Sequence, residues 1–295
     1  MEWRDAERSR NVKDVRGRSF GRGRGMPVRL GGTGGLSLGG LVVLLLVGYL
    51  MGVDPLTMLS GGVPTETAAP PEAGPGDGIQ DEGRAFIETT LRSTELVWAE
   101  VFRTQLRRPY QDAKLIIFSD VVPSACGTNT SAVGPFYCPP DQHVYIDLGF
   151  FRELDRRFGA PGDFAQAYVI AHEVGHHVQN LLGINERVRA AQQRASEAQA
   201  NQLSVRVELQ ADCFAGIWGH YVARETDRKK VRLNDGDIEE GLRAAAAIGD
   251  DAIQRKAQGR VSPESWTHGS SEQRAEWLRR GLQSGQVQAC NTLES

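Results

Sequence analysis

Apolar positions divide the chain into four unequal parts. Residues 1–35 carry few of them among arginines and glycines, while residues 36–53 form an uncharged, apolar run centred on Leu41-Val42-Val43-Leu44-Leu45-Leu46-Val47. Residues 54–79 are rich in proline and glycine, and from residue 80 onward apolar residues recur at the spacings of folded elements. Phe86, Ile87, Leu91, Leu96, Val97 and Phe102 predict one or two helices. Lys114–Phe118 predicts a short strand, with His143–Leu148 as its possible partner. Helices are predicted over Phe150–Phe158, from Asn185 to about Lys230, over Asp237–Ala257 and over Ser271–Leu282. The fold class expected for residues 80–295 is α+β, mainly α with a small β-sheet.

The run over 36–53 is close to the roughly eighteen residues needed to span a bilayer as a helix. Arg4, Arg8, Arg10, Lys13, Arg16, Arg18, Arg22, Arg24 and Arg29 precede it and Asp54 follows. The positive-inside rule therefore predicts a single-pass membrane protein with a cytoplasmic N-terminus and its folded domain outside the cytoplasm. A cleaved signal peptide is the competing reading, but the basic region is long and no small-x-small site follows directly. Residues 1–35 are expected to be a disordered basic tail, and 54–79 a semi-extended linker.

The chemistry concentrates at His172-Glu173-Val174-Gly175-His176. Ile170, Val174, Val178 and Leu181 recur at helical spacing, and Gly183 stands where a left-handed stop would fall. Pro161-Gly162 breaks the preceding segment, and Asp163 with Gln166 has the spacing of a capping box. On such a helix His172 and His176 lie one turn apart on one face, so both imidazoles can reach one metal ion. Zinc in a catalytic site takes three protein ligands and keeps a fourth position open for water. Glu173 would stand beside that position as a general base. As a bare pattern H-E-x-x-H also arises by chance, so a third ligand is required.

Glu208 is the candidate, with Asp212 four residues on and on the same helix face. Ala211, Ala215, Gly216 and Gly219 give their helix a small surface that lets Gly175 approach closely. Asp212 would then accept the free ring N–H of a zinc histidine and fix its tautomer. His177 points away from this face, and His143 and His220 carry no spacing signal.

H-E-x-x-H followed by E-x-x-x-D resembles the glutamate-zincin metallopeptidases. More narrowly, Ala125-Cys126-Gly127, Gly134–Pro139, Val144–Leu148, His172–His177, Glu208–Gly216 and His268–Arg274 resemble the bacterial neutral zinc metallopeptidase family. The likeness runs from about residue 80 to the end. It implies a zincin-like domain, bound Zn2+, a membrane anchor and peptidase activity.

Four cysteines fit an oxidising compartment. Cys126 and Cys138 flank a loop poor in core residues and are expected to pair. Cys213 and Cys290 either form a second bridge or leave Cys213 as a buried free thiol. Val144–Asp147 is a candidate edge strand for an extended peptide, beside the plain structural reading. His268, preceding a helix start at Ser270 with Gln273 as capping partner, is a candidate oxyanion donor. A net charge of −3 over 295 residues gives no reason to expect nucleic acid. The expected function is a membrane-anchored zinc metalloendopeptidase acting on proteins or peptides outside the cytoplasm, with the lipid bilayer met by residues 36–53. The alternatives are a catalytically silent zinc-bearing envelope scaffold and an anchored protein binding RNA through its Arg-Gly tail.

Overall fold

Lys114-Leu115-Ile116-Ile117-Phe118 is apolar after its first residue because both faces of its strand are covered. In the computed structural model, which describes residues 1–18 and 81–294, a four-stranded sheet has the order β1-β2-β6-β5. Its strands are β1 (Val12–Asp14), β2 (Lys114–Phe118), β5 (Phe136–Cys138) and β6 (His143–Asp147). The first three neighbours pair in parallel, with Leu115 opposite Val144 and Ile117 opposite Ile146, and β5 pairs antiparallel with β6. Leu115, Ile117, Val144 and Ile146 face the helices and join the main core with Leu91, Trp98, Tyr168, Val174 and Trp218. Ile116, Phe118 and Tyr145 point the other way and cluster with Val15, Val122 and Cys138. A hairpin of β3 (Val121–Ser124) and β4 (Gly127–Thr130) forms its own two-stranded sheet.

The helices are α1 (Glu82–Val101), α2 (Gly149–Arg156), α3 (Asp163–Leu181), α4 (Ile184–Gln192), α5 (Glu197–Val222), α6 (Asp237–Ala247), α7 (Asp250–Gln258) and α8 (Ser271–Ser284). The fold is thus α+β with helix predominating. Two stretches expected to be single helices are broken. Between α4 and α5 the chain restarts at Ser196, whose hydroxyl and Gln199 form a reciprocal capping box. The same device starts α8 with Ser270 and Gln273. The capping box expected at Asp163 is absent: Gly162 is the N-cap, and the Asp163 carboxylate instead accepts from Trp3 Nε1 at 2.8 Å. Helix α3 ends as expected before Gly183, which is left-handed at φ 70°. Gly216 and Gly281 bring α5 and α8 together, since a Cβ at either would collide with the other helix's backbone.

The expectation of a disordered tail fails for residues 1–18. They pack on the domain, with Trp3, Ala6 and Val15 buried. Trp3 sets its edge against Phe86 at 5.2 Å between centroids. Ser9 and Asn11 both donate to buried Glu95, and Arg16 bridges Asp14 and Asp81. Composition treats such charges as solvated; here several have specific partners in the folded domain. Residues 12–14 also share a sheet with residues 114–118. Residues 19–35, the run 36–53 and the linker 54–79 lie outside the described residues. Among the described residues, no helix is long and apolar enough to cross a membrane.

Both cysteine pairs are bridged, Cys126 to Cys138 and Cys213 to Cys290, which removes the alternative of a free Cys213. The second bridge ties the C-terminal segment to α5. Strand β6 lies between β2 and β5, so Val144–Asp147 is not an edge; the edges are β1 and β5.

Candidate metal centre

Helices α3 and α5 meet at Gly175, where a Cβ would stand 3.0 Å from the Ala211 carbonyl oxygen. That approach brings His172 and His176, three residues before Gly175 and one after it, within reach of α5. His172 Nε2 lies 3.1 Å from one Glu208 oxygen, and His176 Nε2 lies 3.4 Å from the other. The three ligand atoms of His172, His176 and Glu208 all fall within 4.8 Å of one another. Two imidazole nitrogens and a carboxylate oxygen are a donor set suited to zinc, so these residues fit the metal that the motif implies.

Each histidine is oriented by a different partner. His172 Nδ1 donates to Asp212 Oδ1 at 2.7 Å, which leaves Nε2 facing Glu208. Asp212 is fully buried and accepts also from Tyr168 Oη at 2.5 Å and from Arg274 Nε and Nη2 at 2.9 and 3.0 Å. Arg274 is itself buried and holds the Tyr168 hydroxyl at 3.1 Å. His176 Nδ1 donates instead to Gln179 Oε1 at 2.9 Å. Sequence reading assigns no role to Tyr168, Gln179 or Arg274. Tyr168 and Gln179 stand four before His172 and three after His176, so helical spacing offered a signal. Arg274 lies 62 residues from Asp212 and offered none.

The electrostatics follow from burial opposed by charge. Burial disfavours the imidazolium of His172, but the Asp212 carboxylate and its hydrogen bond, with Glu208, outweigh it and raise the pKa to about 10. Burial raises the Glu173 carboxyl above its ordinary value, only partly countered by His176 and His172. Glu208 is also driven up by burial, yet His176 and His172 hold it well below the usual carboxylate range.

These groups line a cleft of about 530 Å³. Glu173 and His268 open into it, as do Gly134 and Pro135 and, on edge strand β5, Phe136 and Tyr137. His268 is positioned by Asp250, whose Oδ2 accepts from the backbone N–H groups of Thr267, His268 and Gly269 at 2.7–3.0 Å. The His268 ring lies 3.3 Å from Asp250 Oδ1 through Nδ1. His177 is outside the cleft's donor set, bound to Tyr137 Oη and the Gln111 carbonyl. His220 and His143 hold backbone carbonyls of Leu282 and Asp141.

Comparison with known proteins places the chain in a family. The family model described as "Putative neutral zinc metallopeptidase" matches residues 1–293, so the N-terminal strand lies within the matched unit. The uncharacterized protein YpfJ of Escherichia coli (strain K12) is 46% identical over 294 residues, covering 99% of this chain and 98% of that protein. The uncharacterized protein Rv2575 of Mycobacterium tuberculosis (strain ATCC 25618 / H37Rv) is 40% identical over 261 residues, covering 83% and 85%. No solved structure matches the chain. On the length of the family match and the identity to these relatives, the chain belongs to the putative neutral zinc metallopeptidase family.

Proposed function

We propose that the protein is a zinc-dependent metalloendopeptidase. The observation that carries this reading is the convergence of His172, His176 and Glu208 beside Glu173 in an open cleft. Zinc held there supplies Lewis acidity, polarising a peptide carbonyl and making water more acidic. Glu173 takes the proton of the attacking water on its carboxylate and returns it to the leaving amine nitrogen. Its buried setting, which raises its pKa, suits a group that must both accept and give a proton. His268, held through Asp250, donates from Nε2 to the oxygen that gains charge. Asp212 and Gln179 keep Nδ1 of each zinc histidine protonated and Nε2 free for the metal. Edge strand β5, which borders the cleft at Phe136 and Tyr137, offers backbone groups to an extended peptide, the role the sequence suggested for Val144–Asp147.

The substrates in this reading are proteins or peptides outside the cytoplasm, because two disulfides are expected of an oxidising compartment. Bilayer contact through residues 36–53 rests on composition alone. It is proposed here with residues 1–18 on the domain's side of the membrane, in place of the cytoplasmic N-terminus expected from charge, because residues 12–14 pair with residues 114–118 in one sheet.

The test uses the full-length, zinc-loaded protein on casein and a peptide library. Glu173→Gln keeps size and hydrogen bonding but removes the base, so cleavage should fall by roughly 10²–10⁴-fold while zinc content stays. Undiminished cleavage by zinc-replete Glu173→Gln would sink the mechanism. A zinc-loaded wild type that cleaves nothing would favour the silent scaffold.

A further inference from the structure

Behind His176 runs a line of buried amides whose direction is set at its far end. The Cys290 carbonyl accepts from Gln210 Nε2 at 2.8 Å. Gln210 Oε1 accepts from Gln179 Nε2 at 3.2 Å, and Gln179 Nε2 also donates to the Val207 carbonyl at 2.7 Å. Gln179 Oε1 then accepts from His176 Nδ1 at 2.9 Å. Gln179 is fully buried, as is Cys290, and Gln210 is 5% exposed, so water does not compete for these groups.

The chemistry permits one orientation throughout. A backbone carbonyl can only accept, so Gln210 must turn its NH2 toward Cys290 and its oxygen toward Gln179. Gln179 must present its NH2 to that oxygen and to the Val207 carbonyl, which leaves its own oxygen for His176. An amide oxygen can only accept, so Nδ1 of His176 carries the proton and Nε2 faces the metal position. Reversing either amide would set donor against donor or acceptor against acceptor at each junction, in a setting where an unmade hydrogen bond costs its full desolvation. The line starts on the carbonyl of a residue bridged to Cys213, on the same helix as Gln210.

We infer that Gln179 and Gln210 are positioning residues for His176, and that this amide line couples metal affinity to the Cys213–Cys290 bridge. The inference rests on the zinc reading of the site but concerns a tautomer measurable without metal. It differs from the Asp212–Tyr168–Arg274 support of His172 in being made of neutral groups. One histidine is thus oriented by a buried ion pair and the other by a relay anchored in the C-terminal segment.

The direct measurement is nitrogen-15 NMR of the wild-type chain, metal-free and zinc-loaded. The His176 Nδ1 proton should be present and protected in both forms; a His176 ring without a proton on Nδ1 overturns the inference whatever the protein binds or cleaves. The second measurement is zinc affinity by competition with a chromophoric chelator. Gln179→Leu should lose roughly 10–100-fold, the range for removing a group that orients a metal ligand. Gln210→Met touches neither histidine and should shift affinity in the same direction by a smaller factor. The double variant should lose no more than Gln179→Leu alone, because both act through one hydrogen bond. Additive losses, or wild-type affinity in a folded Gln210→Met, would overturn the relay. Removing the bridge with Cys213→Ala and Cys290→Ala should weaken zinc in the wild-type background and not further in Gln210→Met. Equal further loss in both backgrounds would show general loosening and refute the coupling.

Discussion

Gly175 on α3 lies against Ala211 on α5 so closely that an added Cβ would stand 3.0 Å from the Ala211 carbonyl oxygen and 3.1 Å from its Cα. The contact falls between the two helical turns that bear the ligands, so the spacing of the helices there sets the distance from the histidines to Glu208. Both of these neighbours are backbone atoms of a helix, which cannot give way as a flexible side chain would. Gly175→Val should therefore push α3 from α5, cost about 1–3 kcal/mol of stability by overpacking and weaken zinc binding. Gly175→Ala should move both in the same direction by less. Thermal unfolding with and without zinc, together with metal analysis, reads both effects.

The N-terminal segment is part of the folded unit. Trp3→Ala removes a buried indole, its edge contact with Phe86 and its hydrogen bond to Asp163 at the start of α3. The expected loss is about 3 kcal/mol, at the lower end for a buried tryptophan. A chain starting at residue 80 would leave β2 as an unpaired edge and should be less stable than the full chain. Urea unfolding of the three proteins compares them on one scale.

Glu208 and Asp212 lie one turn apart but have different tasks. Glu208→Ala removes a ligand atom, and zinc should be lost from the purified protein. Asp212→Asn keeps the shape but disturbs the acceptor for His172 and leaves buried Arg274 without its charge partner. It should bind zinc roughly 10–100-fold more weakly and also lower the melting temperature. Full zinc retention in Glu208→Ala would remove Glu208 from the ligand set.

The pH dependence follows from His172. Its pKa in the metal-free protein is raised from 6.5 to about 10, where Asp212 and Glu208 outweigh the penalty of burial. A raised histidine contributes stability that is fully present below its unfolded value and is lost as pH rises through the folded one. The metal-free protein should therefore lose this contribution between pH 6.5 and about 10. Zinc must displace the same proton, so its affinity should rise over that window, by roughly tenfold per pH unit from this group. Calorimetry in buffers of different ionisation enthalpy would detect the released proton; uptake independent of pH would contradict the assignment.

What the sequence determined by itself is local and periodic. His172 and His176 share a face because a helix turns every 3.6 residues, and the same period places Glu208 with Asp212. The capping box of Ser270 with Gln273 and the stop at Gly183 are likewise read within one element, whereas of the small residues expected to face Gly175 only Ala211 does so, Gly216 and Gly219 packing against α8 and its neighbours instead. Tertiary structure decided what depends on pairs distant in the chain. Strand β1 reached the sheet across about a hundred residues, joining Val12 to Leu115, and composition misread its segment because charge alone does not say whether a partner waits. Strand β6 became central because β1 and β5 took the edges. Asp163 was taken from its cap by Trp3, 160 residues away. Arg274 beneath Asp212, and Gln210 between Gln179 and Cys290, are legible only once the helices are packed. A buried polar group must find its partner wherever the fold brings one, and sequence spacing carries no record of that.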